Sequence, residues 1–171
     1  MTNSVSWILV GMMGVGKSAV GREIASITGR QFVDTDILIQ RRLGRSIQSF
    51  FQHYGEAAFR EHETRVLEQL KPGNTIVSTG GGIILREENW VQLHRIGVVI
   101  YLKASAETLT ERLERSSKKR PLLQVENWKD RVVELAEKRE EFYSKADYTV
   151  LVTTQTIAEM AQDVIKTLGG Q

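Results

Sequence analysis

The segment Gly11-Met12-Met13-Gly14-Val15-Gly16-Lys17-Ser18 gathers in eight residues the groups needed to hold a polyphosphate. It meets the pattern G-x-x-x-x-G-K-[ST] at every fixed position. Glycines let successive backbone N–H groups turn towards one anion, and the helix that follows adds the positive end of its dipole. The lysine can bridge the β- and γ-phosphates of a nucleotide, and the hydroxyl after it can bind Mg2+. Gly14, Val15, Gly16, Lys17, Ser18 and Ala19 are therefore the expected nucleotide contacts. A glycine-rich turn that matches by chance is the bland alternative, and the apolar strand before the loop and the helix after it argue against it.

Further candidates lie downstream, each with a plainer reading beside it. Asp34-Thr35-Asp36 follows a short apolar stretch, and residues i and i+2 share one side of an extended chain. Two carboxylates there can serve Mg2+ and a substrate hydroxyl; alternatively Asp36 is the N-cap of a helix starting at Ile37. Arg60 and Glu63 stand three apart on a helix, either as a held guanidinium or as a solvated ion pair. Gly80-Gly81-Gly82 is either a close approach of backbone to ligand or a flexible turn. Arg112, Arg115, Lys118, Lys119 and Arg120 face one acid, Glu114, ahead of Pro121. That run could be a mobile lid bringing an arginine to a transferring phosphoryl group, or a solvated basic turn. Arg139, within Lys138-Arg139-Glu140-Glu141, reads by itself as part of a salt-bridged helix face, and His53, His62 and His94 show no metal-ligand spacing.

These groups need a scaffold, and the apolar pattern supplies one. Strands are expected at Val5–Val10, Gln31–Asp34, Thr75–Ser78, Val98–Leu102 and Tyr148–Val152. Helices are expected at Lys17–Thr28, Ile37–Leu43, Ile47–Tyr54, Glu56–Leu70, Arg86–Arg95, Ser105–Arg115, Trp128–Tyr143 and Ile157–Leu168, with 116–127 irregular. Strands alternating with helices predict an α/β fold, a three-layer α/β/α sandwich on a five-stranded parallel sheet. With 171 residues, one domain over 1–171 is expected. The net charge is only +2 (23 basic against 21 acidic residues), which argues against a nucleic-acid binder. Without cysteine, thiolate catalysis, disulfides and zinc fingers are excluded. The early apolar run Trp7–Val10 is too short for a membrane span, so a cytoplasmic protein without membrane partners is expected.

Taken together the residues resemble the shikimate kinases, P-loop kinases of aromatic amino-acid biosynthesis. Besides the phosphate loop, the resemblance rests on Phe32–Asp36, Gly44-Arg45-Ser46-Ile47, Gly55–Arg60 with Glu63, Ser78–Gly82, Arg120-Pro121-Leu122-Leu123, and Arg139 followed by Phe142-Tyr143. It covers almost the whole chain. It implies a nucleoside-monophosphate-kinase-like fold, with substrate helices at about 37–70 and a lid at about 116–127. It implies ATP and shikimate as substrates, Mg2+ held by Ser18 and Asp34, and a monomer. Asp36 would contact the reacting hydroxyl, and Lys17 and Arg120 the ATP phosphates. Arg60, Arg139 and the Gly80–Gly82 backbone would bind the carboxylate and remaining hydroxyls. Arg112 is the expected cation beside the adenine. Some members place an arginine after the last strand; here Thr153-Thr154-Gln155-Thr156 stands there, so the adenine contact falls to backbone or to Gln155.

Three other readings share part of this evidence. Another small-molecule kinase, such as a gluconate kinase, would keep the phosphate loop without needing the Arg60/Arg139 pair. A GTPase would need a guanine-reading Asn-Lys-x-Asp, which the chain lacks. A non-catalytic nucleotide-binding module would not need Lys17, Ser18, Asp34, Asp36 and Arg120 together.

Overall fold

A computed structural model describes residues 5–118 and 120–169. Its strands are β1 (Ser6–Val10), β2 (Gln31–Asp34), β3 (Thr75–Ser78), β4 (Gly97–Ala104) and β5 (Tyr148–Val152). Its helices are α1 (Lys17–Thr28), α2 (Thr35–Leu43), α3 (Ile47–Gln69), α4 (Glu87–Ile96), α5 (Ala106–Glu114), α6 (Trp128–Tyr143) and α7 (Ile157–Gly169). The strands pair in parallel in the order β2-β3-β1-β4-β5. Right-handed crossovers send a connection leading one way along a sheet over one face and its opposite over the other. Packing agrees: α1 rests on α7, α3 on α4 and α5 on α6. The expected α/β sandwich on five parallel strands is what the chain forms.

The central strands are buried on both faces. Ile8, Leu9 and Val10 of β1 and Val99, Ile100 and Leu102 of β4 are all sealed from solvent. The chain passes from β3 on one side of β1 to β4 on the other. Such a reversal opens a crevice beyond the carboxyl ends of the strands, where open α/β sheets bind ligands. Strand register then sets what faces the crevice. Asp34 pairs with Ser78 and Ser78 with Leu9, so three strand ends finish level with one another.

Two local details depart from the sequence pattern. Helix α2 begins at Thr35 rather than Ile37, because Asp34 caps it by accepting from the N–H groups of Asp36 and Ile37. The capping role weighed for Asp36 therefore belongs to Asp34, and the Asp36 side chain is left for other work. The expected irregular stretch 116–127 contains a 3-10 turn, Pro121–Leu123. Leu122 and Leu123 pack on the main core and anchor the segment. Lys119, counted in the basic run, lies outside the described residues. The two helices expected on either side of Gly55 are present as α3, broken at Gly55, whose φ of 79° is strained for other residues. A second, smaller core of Ile39, Phe50, Phe59 and Val66 packs α2 against α3.

Candidate active site

Two cavities meet at the carboxyl ends of β1 and β3. The first, about 480 Å³, lies over the phosphate loop. Gly14, Gly16, Lys17, Ser18 and Ala19 line it, and so do Arg112, Arg115, Lys118 and Arg120. Five cations thus face one carboxylate, Asp36. Lys17 Nζ folds onto the loop's own carbonyls, 2.7 Å from Gly11 O and 3.0 Å from Met12 O. Burial pushes the Lys17 ammonium down to about 7; Arg120 adds to this, while Asp36 and Asp34 oppose it.

Beside Lys17, Ser18 Oγ donates to Asp34 Oδ2 at 2.6 Å and lies 3.1 Å from Ser78 Oγ. These donors are all oxygen, which suits a hard cation such as Mg2+. Among the described residues no three His, Cys, Asp or Glu side chains cluster as a metal cage. A site with one carboxylate and two hydroxyls fits an ion that takes its other ligands from phosphates and water.

The second cavity, about 240 Å³, lies between α2, α3, α6 and the Gly80–Gly82 turn. Ile47, Phe51, Phe59 and Leu122 give it apolar walls, while Arg60, Arg139, Asp36 and Glu63 give it charge. The Arg60–Glu63 pair is not the solvated pair that its spacing allowed. Glu63 is 0% exposed, and Arg60 Nη1 donates to it at 2.6 Å and Arg60 Nη2 to Glu56 at 2.9 Å. Burial works against the Arg60 charge, but Glu63 and Glu56 more than offset it and raise its pKa. Burial pushes the Glu63 carboxyl up, with Arg60 pulling the other way. Arg60 Nε, Glu63 Oε1 and Arg139 Nη1 are buried without a partner among the described residues.

The three glycines have a reason that the sequence did not suggest. None of them needs a positive φ. What they need is space for the site's side chains. A Cβ on Gly80 would lie 2.8 Å from Asp36 Oδ1 and from Glu63 Oε1. One on Gly82 would lie 2.3 Å from Arg60 Cζ, and one on Gly81 would lie 3.3 Å from Met13 N of the phosphate loop.

Asp36, Gly80, Gly81, Lys118 and Arg120 border both cavities. Burial, then the neighbouring Asp34, raise the Asp36 carboxyl above its ordinary value; Lys118, Lys17 and Arg120 pull it back. Burial lowers the pKa of Arg120, with Asp36 opposing, and its Nε is buried without a partner among the described residues.

Two expected nucleotide contacts fall elsewhere. Val15 is sealed in the core, and its N–H donates to Met12 O at 3.3 Å. Gln155 closes its own loop: Oε1 accepts from Thr153 N at 2.6 Å and Nε2 donates to Leu151 O at 3.1 Å. Neither lines the phosphate-loop cavity. Arg115, Lys118 and Ser78, by contrast, were not singled out as site residues. Arg115 and Lys118 stood in the basic run, and Ser78 directly precedes Thr79 and the glycines.

Comparison with known proteins bears on the whole assembly. The shikimate kinase family model matches residues 13–169. A shikimate kinase of Caldanaerobacter subterraneus subsp. tengcongensis is 41% identical over 160 residues, covering 93% of each chain. The structure of a shikimate kinase from Acinetobacter baumannii in complex with shikimate superposes with a TM-score of 0.92 at 36% identity, covering 97% of this chain and 93% of that one. A gluconokinase from Sinorhizobium meliloti shares the fold alone, at 20% identity and a TM-score of 0.56 over 99% of this chain and 94% of its own. The family model and the 36–41% identity, both over nearly the full length, make this chain a member of the shikimate kinase family.

Proposed function

We infer that the protein transfers the γ-phosphoryl group of ATP to the 3-hydroxyl of shikimate, giving shikimate 3-phosphate and ADP. Family membership supports the reaction. One observation carries the assignment of parts: a cation-rich cavity over a phosphate loop and a small acid-binding cavity share Asp36 and Arg120 on their border. A hydroxyl in the second cavity and a terminal phosphoryl in the first would meet there.

Phosphoryl transfer has a loose transition state, so positioning and charge neutralisation do most of the work. Lys17 and Arg120 neutralise the phosphate oxygens. Asp36 orients the acceptor hydroxyl and takes its proton late, and its raised pKa suits that role. Ser18 and Asp34 are the residues that would hold Mg2+, which would supply positive charge against the nucleotide phosphates. Arg60 and Arg139 receive the substrate carboxylate, whose planar oxygens match a guanidinium fork. The Gly80–Gly82 backbone and Asp36 meet its hydroxyls, and Arg112 stands beside the adenine.

The segment 116–127 acts as the lid that carries Arg120, the helices of 37–70 hold the acid, and one kinase domain comprises 1–171. The enzyme works as a cytoplasmic monomer with no nucleic-acid or membrane partner. The low net charge and the lack of cysteine support this setting, and no helix among the described residues is long and apolar enough to cross a membrane. A coupled ADP-release assay over a panel of hydroxy acids and sugars tests the reaction. Shikimate should be the preferred acceptor, and faster turnover with gluconate would overturn the assignment.

A further inference from the structure

In the three-glycine turn every carbonyl is taken. Gly80 O accepts from Ile83 N at 3.3 Å and Gly82 O from Leu85 N at 3.2 Å. Gly81 O accepts from the Tyr143 hydroxyl at 2.6 Å. Gly80 N–H donates to Thr35 Oγ1 at 3.2 Å. The N–H groups of Gly81 and Gly82 are left without an acceptor among the described residues.

Three successive glycines have wide backbone freedom, so something must select one orientation of their peptides. Across a trans peptide the C=O and the next N–H point to opposite sides, and no peptide bond among the described residues is cis. A hold on Gly81 C=O therefore aims Gly82 N–H directly away from Tyr143. Gly81 and Gly82 both line the acid cavity, as does Arg139.

Tyr143 is itself firmly placed. It is 0% exposed, and its ring stacks on Tyr101 at 4.8 Å with planes 14° apart. The Tyr101 hydroxyl donates to Glu140 Oε2 at 2.8 Å, and Lys103 pairs with the other oxygen of Glu140. Tyr101 and Lys103 belong to β4, Glu140 and Tyr143 to α6, so the set clamps this end of α6 to the sheet. Arg139 stands one turn before Tyr143 on the same helix face. Its unpartnered Nη1 lies 3.6 Å from where a Gly81 Cβ would be. Burial, opposed by Arg139, pushes the Tyr143 phenol up to about 12, so it stays a donor throughout the neutral range.

We propose that Tyr143 is a positioning residue for the acid substrate: its hydroxyl fixes the Gly81–Gly82 peptide so that Gly82 N–H and the Arg139 guanidinium meet the substrate in one arrangement. The proposal rests on the acid-pocket reading above. Tyr143→Phe keeps the ring and its stack and removes the hydroxyl, with its hold on Gly81 O and its contact with Arg139. It should raise the KM for shikimate about fivefold to tenfold, the ratio an ordinary lost hydrogen bond is worth. The KM for ATP and kcat should stay within about twofold, since no nucleotide contact is touched. Arg139→Lys, measured beside it, separates the two readings. If Arg139→Lys raises the shikimate KM and Tyr143→Phe does not, the positioning role is wrong and the acid pocket stands. If Tyr143→Phe lowers only Tm, or raises both KM values alike, Tyr143 is merely a core residue. If Arg139→Lys leaves the shikimate KM unchanged, the acid-pocket reading fails and takes this proposal with it.

Discussion

The two cavities prepare for anions by opposite means. Around the phosphate loop, Lys17, Arg112, Arg115, Lys118 and Arg120 crowd together with Asp36 as the one acid among them. Charge there is costly, and the Lys17 ammonium is held near neutrality by burial and by Arg120. A polyphosphate placed there, as we propose, would relieve that repulsion, so the nucleotide would complete its own site. On the acid side the Arg60 cation is already partnered by Glu63 and Glu56 within the fold. Its geometry is set before any substrate arrives. One half is an unbalanced electrostatic trap and the other a prearranged mould. The first suits a ligand shared by many enzymes, and the second suits selection of one small acid.

If this contrast is right, lesions in the two halves should separate kinetically. The largest effect is expected from Lys17→Met. Turnover should fall by at least the ~10²–10³ lost with one preorganised charge donor. Thermal stability should hold or rise, because an ill-solvated cation has been removed. Near-wild-type turnover in this variant would break the trap half of the comparison. Next comes Gly82→Ala, whose Cβ would lie 2.3 Å from Arg60 Cζ and would drive the guanidinium from its seat. The shikimate KM should rise about a hundredfold, the upper range for a lost charged hydrogen bond, with the ATP KM unchanged. Equal losses for both substrates would show that the halves are not independent. Arg60→Lys is milder. An ammonium cannot span Glu63 and Glu56 as the fork does, and a shikimate KM about tenfold higher is expected.

A different kind of effect is read from pH. Lys17 drops from 10.5 to about 7 on folding, so between those values the unfolded chain binds more protons than the folded one. Wild-type stability should therefore climb relative to Lys17→Met as pH rises from 7 to 10. Below 7 the difference should be flat, since Lys17 is then protonated in both states. Added ADP should flatten the slope above 7 by restoring the proton. Chemical denaturation at several pH values reads this directly, and a slope of zero without ADP would mean that Lys17 keeps its charge.

The same contrast explains what could be read beforehand. The phosphate loop is contiguous, and its chemistry depends on residues adjacent in the chain, so Gly11–Ser18 announced itself. The central strands β1 and β4 were equally plain, because parallel strands buried on both faces are short apolar runs. The proposed acid pocket is assembled from Asp36, Arg60, Gly80–Gly82 and Arg139, over a hundred positions apart at the extremes. Local pattern gave each of them an ordinary alternative. Asp-x-Asp left open which carboxylate caps α2, and only the start of the helix at Thr35 decides for Asp34. Arg60 and Glu63 have the spacing of a surface pair; Gly82, far away in sequence, makes room for the guanidinium. Arg139 stood out through resemblance alone, and the hydroxyl of Tyr143 carries no local signal at all. Gln155 was a reasonable polar candidate, yet its amide finds partners within its own loop.

The little cluster of Ile39, Phe50, Phe59 and Val66 has a consequence for heat. It joins α2 to α3 with far less buried hydrocarbon than the sheet beneath. A unit so lightly held opens at a lower free energy than the whole molecule. On warming, the helices we propose to cradle the acid would melt first, while the sheet and its phosphate loop remain folded. Catalysis would then fade below the global melting temperature and return on cooling, and shikimate would delay the loss more than ADP does.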